Sequence, residues 1–580
     1  MPTGWNFLPL ELQWMIRDQI KSISPATKRA RNVFPYSQLL LVCREWHSWF
    51  CDENFRFLVL DQDRLDEFKN LVSNNEARRN RVQRIVLRIR LPDYDYPACD
   101  EEEDDDTACT NDEVFIDTLR RFMAIMSTWP KREGNPGIVL DLGAYSPSDG
   151  KHGFRDYRFS DQYQYGAPQA GYQEHAAALR RAREAGKNQK STCPGWNRIC
   201  NTECSTPSVS SKKRLLATIG DPQRQHFSKV FTDGHQNTPS RTVLKGIASA
   251  PAIVYLDLRR HYYRPISFQV LGCLVRQGFP YLRGLCRETW RAAGIPQSRS
   301  MDGSVGLMNA LRALPATMQH FRLLCESNKT LQGENTVAAT VPPSSSATSD
   351  ATTAHSGIHY PSHVQLGGMA CAAAKLSTRL RTFCATYTVS FEDFVHADFL
   401  QGSPIHRHLH SLCMTSSILQ DRVSCNSQDF INLVEMAGCF AFMSMPKLNT
   451  LILWDGGQSD GFLMQFTYTY SYLSGIERRR PTLTIQGTRY ARDDLLPAVL
   501  NLNNVVMKKL PQQGYSSILV YCNESHATGR KEKQEEEGGP AVTKSLHEHG
   551  LEFREVRPYI LNSDSAKQRM FERPMPRGGL

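Results

Sequence analysis

The 580-residue sequence lacks an apolar run long enough to form a membrane-spanning helix, and its first residues lack a basic segment followed by an apolar one. We therefore expect an intracellular protein, cytoplasmic or nuclear, with no membrane partner. In that environment its sixteen cysteines should stay reduced and act mainly as small apolar residues. Only Cys200 and Cys204 approach the spacing of zinc ligands, so we predict no metal site and no cofactor.

The sequence also lacks the motifs of the common enzyme classes. It contains no G-x-x-x-x-G-K-[ST], G-x-G-x-x-G or H-E-x-x-H motif. Asp257, Asp393, His396 and Asp455 are candidate polar groups, but no spacing ties them into a catalytic set. We therefore predict no catalytic residue and a protein that is not an enzyme. An enzyme with an unfamiliar site is an alternative, and its sign would be a deep pocket that holds buried, mutually close titratable groups.

Concentrated positive charge is scarce. The net charge is +10, and the basic residues are spread along the chain, with short clusters at 28–31, 78–81 and 478–480. Because a nucleic-acid-binding protein usually concentrates its positive charge on one face, we expect no nucleic-acid partner. The hydrophobic content of 40% and the charged content of 22% are ordinary for a globular protein.

Several stretches carry too few large apolar residues to contribute to a core. We predict disordered insertions at 93–111, 160–245, 331–362 and 527–540, and a flexible tail at 566–580. The first of these contains seven adjacent carboxylates, which should repel one another and stay in solvent.

The remainder alternates between two hydrophobic periodicities. Apolar residues at every second position predict strands at 82–88, 137–143, 253–259, 282–288, 321–327, 380–386 and 448–454. Apolar residues three and four apart predict helices at 111–129, 267–278, 304–318 and 427–445. Alternation of strands and helices favours a mixed α/β fold built on a parallel sheet.

Two of these units resemble a known repeat. "FPYLRGLCRETW" and "MPKLNTLILWDGG" are similar to the L-x-x-L-x-L core of a leucine-rich repeat. The spacing between the strand–helix units is irregular, whereas regular leucine-rich repeats recur about every 20–29 residues. We therefore predict a small helical domain at 1–55, followed at 56–565 by an irregular α/β, leucine-rich-repeat-like region with the form of a degenerate horseshoe. An α/β domain with no internal repeat is the alternative.

The first fifty residues contain two apolar stretches, "FLPLELQWMI" and "LLLVCREWHSWF". In the first, Leu8, Leu12, Ile16 and Ile20 recur every four residues, and Pro9 suits the first position of a helix. The second repeats the pattern in residues 39–50. Because two helices alone bury too little surface to be stable, these stretches need either the following domain or a partner protein.

Together the two stretches resemble an F-box. The resemblance lies in Leu8-Pro9-x-Glu11 combined with Val42-Cys43-Arg44-x-Trp46, and it covers about residues 5–52. The chain beyond is similar in style to large F-box proteins of fungal type. The resemblance implies a non-catalytic adaptor that binds a Skp-type linker subunit of a cullin–RING (SCF-type) ubiquitin ligase and holds a protein substrate with its carboxyl-terminal region. The implied linker contacts are Leu8, Pro9, Leu12, Ile16, Leu39, Val42, Cys43 and Trp46.

The segment between the two stretches departs from the F-box pattern. Residues 21–38 make this connection about ten residues longer than in a usual F-box, which a surface loop tolerates at low cost. The departure leaves open whether linker binding is preserved. The alternative function is a non-catalytic interaction scaffold, in which the amino-terminal helices only cap the repeat domain.

Overall fold

A computed structural model describes sixteen stretches of the chain. They are residues 8–22, 42–95, 98–132, 137–149, 196–197, 206–222, 224, 244, 247–291, 300–327, 363–402, 405–420, 427–455, 462–473, 476–486 and 519–523. The predicted insertions at 331–362 and 527–540 and the tail at 566–580 lie outside the described residues.

The described part of the chain is a mixed α/β structure built on a twelve-stranded sheet. Its strands are β1 Phe57–Leu60, β2 Arg84–Arg90, β3 Ile138–Tyr145, β4 Ile253–Leu258, β5 Gly284–Arg291, β6 His320–Ser327, β7 Thr382–Ser390, β8 Ser411–Thr415, β9 Thr450–Asp455, β10 Phe462–Leu473, β11 Ile476–Gln486 and β12 Leu519–Asn523. The strands lie side by side in chain order. β1 to β9 are all parallel, β10 is antiparallel to both neighbours, and β12 is parallel to β11. The parallel sheet and the seven predicted strands are confirmed.

Helices connect most of the parallel strands. The described α-helices, of which the first two precede β1, are α1 Leu10–Ser22, α2 Arg44–Arg56, α3 Leu65–Phe68, α4 Glu76–Arg81, α5 Asp105–Met126, α6 Val209–Leu215, α7 Phe268–Gly278, α8 Ser300–Ala313, α9 His363–Ser377, α10 Phe391–Leu400, α11 Ser417–Gln420 and α12 Ser427–Ser444. Helices α7, α8, α9 and α10 pack on one another in chain order. The four predicted helices correspond to α5, α7, α8 and α12. Among the described helices, none combines the length and the apolar character that crossing a bilayer requires.

The main core lies between the helices and one face of the sheet. In β2, for example, Ile85, Leu87 and Ile89 belong to the same buried cluster as Phe115 and Phe122 of α5. Successive strand residues point to opposite faces, so the alternate residues of β2 to β9 face away from these helices. We call that second surface, opposite these α-helices, the helix-free face, and it carries the ion-pair network and the second apolar cluster described below.

The acidic run differs from the prediction of a disordered insertion at 93–111. Asp104 caps α5, since its side chain accepts a hydrogen bond from the Thr107 amide, and Asp105 and Asp106 occupy the first turn. Carboxylates are stabilised there by the positive end of the helix dipole. The preceding carboxylates bind basic residues that lie more than a hundred positions further along the chain, which relieves their mutual repulsion.

Some of these basic partners lie in the predicted insertion at 160–245. Within it, residues 206–222 are ordered and include α6, which differs from the prediction of disorder. Lys213 of α6 donates to Glu102, and the Arg214 guanidinium donates to the backbone carbonyls of Glu101 and Glu102. The predicted domain boundary at residue 55 falls inside α2, which ends at Arg56 and is followed directly by β1.

Candidate docking surface and polar sheet face

Helix α1 exposes its apolar side chains. Leu12, Trp14 and Met15 are 43%, 54% and 65% exposed, and Ile16 is 37% exposed. The helix begins at Leu10, one residue later than the sequence predicts, and the Pro9 carbonyl accepts its first hydrogen bond, from the Gln13 amide at 3.1 Å. These apolar side chains stay more than a third exposed to solvent, so the surface of α1 is suited to contact with another protein.

Leu8 is half-buried, and its carbonyl accepts a hydrogen bond from the Gln13 side chain at 2.9 Å. The other predicted linker contacts divide into three kinds of position. Leu39 lies outside the described residues. Val42, 57% exposed, and Cys43 precede α2 instead of lying within it, because Cys43 is extended and the helix begins at Arg44. Trp46 lies on α2, half-buried, with its ring centroid 5.5 Å from that of Phe50.

Helix α2 is attached to the α/β structure that follows it. Phe50 and Cys51 are buried, and the helix packs on α4, whose Arg81 donates to the Cys51 thiol sulfur at 3.5 Å. The two predicted halves of the docking surface therefore differ: α1 presents its apolar residues outward, whereas α2 is in part a core element of the chain.

The helix-free face carries a buried ion-pair network on β2, β3 and β4. Asp141 and Asp257 are register partners on neighbouring parallel strands. Arg84 Nη2 lies 3.2 Å from the Asp141 carboxylate and 3.3 Å from that of Asp257. Arg259 Nε lies 2.5 Å from Asp141, which is fully buried. Arg84 and Arg259 therefore compensate the charges of two adjacent buried carboxylates.

Burial beside a second carboxylate changes the pKa of Asp257. Burial raises the pKa of this carboxyl to about 7, and the adjacent Asp141 adds to the increase, while Arg84 opposes it. Asp257 therefore changes its protonation near neutral pH, although the sequence assigns it no catalytic partner.

The acidic run is joined to this part of the fold by Arg264. This side chain is buried and binds Glu103, and its Nη2 lies 3.5 Å from the Asp149 carboxylate. Although burial acts to lower the pKa of Arg264, the charges of Glu103 and Asp149 outweigh it and raise that pKa. Tyr94 completes the cluster, with its hydroxyl 2.9 Å from Asp149.

A Ser–His–Asp arrangement lies among α9, α10 and the segment before β8. Ser377 Oγ is 3.1 Å from His406 Nδ1, and His406 Nε2 is 2.9 Å from Asp398 Oδ1. The Ser377 hydroxyl donates to the Ala374 carbonyl at 2.8 Å, so its oxygen accepts the hydrogen bond from His406. A serine nucleophile must give its proton to the histidine instead. Since the three side chains are at most 1% exposed, this arrangement ties structural elements together and provides no accessible nucleophile.

Beyond β5 the helix-free face carries a large apolar part. Leu324, Cys384, Cys413, Ile452, Trp454 and Leu463 form a separate buried cluster on β6 to β10. Tyr387 packs edge-on against Trp454, with ring centroids 5.3 Å apart. Within the described residues, no group of three or more His, Cys, Asp and Glu side chains is arranged to hold a metal ion.

Sequence reasoning missed the ion-pair network, although a signal was present. The strands "GIVLDLG" and "IVYLDLR" repeat an L-D-L triplet, and the two aspartates in these triplets are Asp141 and Asp257. An aspartate repeated at the same place in two predicted neighbouring strands indicates two carboxylates side by side. Their cations could not be assigned, because Arg84 lies 57 and 173 residues from them.

The comparisons with known proteins give one match. A family described as a family of unknown function (DUF6546) matches residues 313–527, which include β6 to β12. No curated protein matches the chain. No solved structure matches it either.

Proposed function

We propose that the protein is a substrate-recognition adaptor of an SCF-type ubiquitin ligase. In this role α1 and the residues before α2 bind a Skp-type linker, and the sheet domain holds a protein substrate. The observation that carries the proposal is the apolar surface of α1, whose residues Leu12 and Ile16 are both exposed and both predicted linker contacts. A helix with outward apolar residues fits the groove of a partner protein.

The sheet is consistent with the substrate-holding part of the proposal. Nine parallel strands follow one another in chain order, and helices α7 to α10 pack in the same order. Stacked repeats produce this order, since each unit contacts mainly its neighbours. We propose that β1 to β9 form a degenerate, leucine-rich-repeat-like horseshoe, which the antiparallel β10 ends. Such an adaptor forms no bond itself and acts by bringing a substrate lysine close to activated ubiquitin.

The test is binding of the full chain to a purified Skp-type linker. Replacing Leu12 and Ile16 together by Asp should weaken binding by about a hundredfold, because both apolar anchors are lost. Phe399→Asp is the matched control, since Phe399 is 71% exposed on α10, far along the chain from α1, and this variant should bind as the wild type does. Equal binding by all three proteins, or by none of them, would overturn the proposal. The double change Leu8→Ala with Pro9→Ala should also reduce binding.

An interaction scaffold without a ligase role is the second candidate, and the burial of Phe50 and Cys51 favours it for α2. Deleting residues 1–22 separates the two candidates. A modular α1 should leave the unfolding temperature unchanged and abolish linker binding, whereas a capping α1 should lower the unfolding temperature. Deletion of residues 1–55 would not separate them, because it also removes Phe50 and Cys51 from the core.

A further inference from the structure

A cavity of about 280 Å³ lies where the acidic run, the stretch after α6 and the start of α7 meet. Its lining includes Glu102, Lys213, Thr218, Arg224, Gln269 and Arg287. Two contacts join the walls: Ile219 forms a parallel β-bridge with Ile266, and the Gly220 amide donates to the Asp112 side-chain carboxylate at 2.8 Å. The cavity is therefore built from segments that are far apart in sequence and held rigidly together.

Arg287 of β5 enters this cavity from the core side of the sheet. It is 7% exposed, its Nη2 donates to the Ile266 carbonyl at 2.9 Å, and its guanidinium lies 3.7 Å from the centre of the Phe268 ring. Its Nε is buried and finds no hydrogen-bond acceptor among the described residues. None of the described carboxylates forms an ion pair with Arg287, in contrast to Arg264, which has two.

An arginine in this position is costly to the free protein. Burial without a compensating charge lowers the pKa of Arg287 to about 10. A buried charge is normally retained only where an opposite charge or a full set of hydrogen bonds compensates it. Since the described residues supply no carboxylate to the Arg287 guanidinium and no acceptor to its Nε, the compensating charge is expected to come from a ligand that enters the cavity.

The start of α7 adds further donors. Ser267 caps this eleven-residue helix, and its hydroxyl oxygen accepts from the Val270 amide at 3.2 Å. The amides of Phe268 and Gln269 lie in the first turn, where backbone N–H groups have no partner within the helix. Backbone N–H groups at a helix start, together with the helix dipole, favour a negatively charged group.

The rim of the cavity has both signs of charge. Lys213 pairs with Glu102, Arg224 Nη2 lies 3.9 Å from Glu103, and Asp221 is also in the lining. These carboxylates oppose the entry of a large polyanion, and the volume suits a group of small-molecule size.

We propose that this cavity binds the phosphate group of a small phosphorylated molecule. Arg287 and the first amides of α7 contact the phosphate oxygens, and Lys213 lies at the rim. A phosphate monoester fits these groups because its several oxygens can accept from a guanidinium and from backbone amides at the same time. The proposal goes beyond the adaptor role and does not depend on it.

The test is the unfolding temperature of the full chain, measured against increasing concentrations of inorganic phosphate and of O-phosphoserine, with sodium acetate and sodium chloride at matched ionic strength. Wild type should be stabilised by at least about 2 °C in millimolar phosphate or phosphoserine, beyond any effect of acetate or chloride. A greater effect of O-phosphoserine than of phosphate would assign the cavity to an ester, and the reverse would assign it to the free ion. Equal stabilisation by all four anions, or by none, would overturn the proposal.

The Arg287→Met variant distinguishes a ligand-binding arginine from a structural one. It should lose the phosphate-dependent shift, with affinity reduced by about tenfold to a hundredfold, and should be at least as stable as wild type in phosphate-free buffer. Arg276→Met, at the other end of the same helix, is the matched control and should keep the shift. If Arg287→Met does not fold, Lys213→Met provides the second measurement and should also weaken binding.

Two results with these variants contradict the proposal: a normal shift in both Arg287→Met and Lys213→Met, or loss of the shift in Arg276→Met. Linker binding by Arg287→Met should equal that of wild type, so failure of the phosphate proposal and failure of the adaptor proposal are distinguishable.

Discussion

The helix-free face of the sheet divides into two halves with the same backbone and opposite chemistry. On β2 to β4 it carries Arg84, Asp141 and Asp257 in one buried network. On β7 to β9 the corresponding surface carries Cys413, Ile452 and similar apolar side chains. Parallel strands support both halves, so the fold does not dictate the chemistry of this face.

The comparison of the two halves shows how each contributes to the stability of the fold. Burying apolar side chains on β7 to β9 stabilises the folded state directly. Burying Asp141 with its two arginines costs desolvation that the ion pairs approximately offset, so the charged half contributes little net stability but tolerates few single changes. The matched family region, residues 313–527, covers the apolar half and not the charged one.

The largest expected effect comes from removing one member of the charged network. Asp141→Ala leaves Arg84 with a single carboxylate and Arg259 without this partner, and should lower the free energy of unfolding by about 3–5 kcal/mol in urea titrations. Asp66→Ala is the control, because the Asp66 carboxylate pairs with Arg121 at the surface and should matter by less than about 1 kcal/mol. Similar small losses for both variants would show that the network is not a unit.

In the apolar half, a truncation should cost somewhat less. Ile452→Ala removes buried methyl groups and leaves a cavity beside Cys413, so we expect a loss of roughly 2–4 kcal/mol in the same titration. Met443→Ala, at a position that is 56% exposed, should change stability very little. A loss at Ile452 greater than that at Asp141 would reverse the order of the two halves.

The third prediction uses pH. The pKa of Asp257 is about 7 in the folded protein and 3.8 ordinarily, so between these values the folded state keeps a proton that the unfolded state has released. Wild-type stability should therefore fall as pH rises through this window. The side chain of Asp257→Asn cannot titrate, so this variant should not lose stability in the same way. Above neutral pH it should be more stable than wild type by about 1–2 kcal/mol, and near the acidic end of the window the difference should be smaller. A difference that is constant with pH would show that Asp257 does not titrate in the window.

The smallest effect should come from replacing the whole network. Arg84→Met, Asp141→Leu, Asp257→Leu and Arg259→Met, introduced together, should leave the free energy of unfolding within about 1 kcal/mol of wild type or raise it. Such a result would show that the network contributes little net stability. A loss comparable to that of Asp141→Ala alone would instead make the network a main source of stability.

The sequence predicted the strands that bear the clearest periodicity. "GIVLDLG" and "LNTLILW" alternate cleanly and became β3 and β9, whereas β1 and β8 are runs of only four and five residues that periodicity cannot separate from short helices. Helices α9 and α10 were also missed.

Part of the candidate site was readable in the same way. Leu12 and Ile16 were expected on an amphipathic helix, and the structure places them there and leaves them exposed. Arg287 carried no sequence signal, because its importance lies in the absence of a carboxylate partner among the described residues, which only the folded chain reveals.

The sequence by itself determined the local features of this protein: the alternating strands, the amphipathic helices and the apolar residues of α1. These follow from periods of two and 3.6 residues, which a short window contains completely. Tertiary structure determined which charged residues pair with one another. Arg264 binds Glu103 across 161 residues of chain, and Arg84 joins Asp141 to Asp257, because charge compensation depends on distance in space and not on position in sequence.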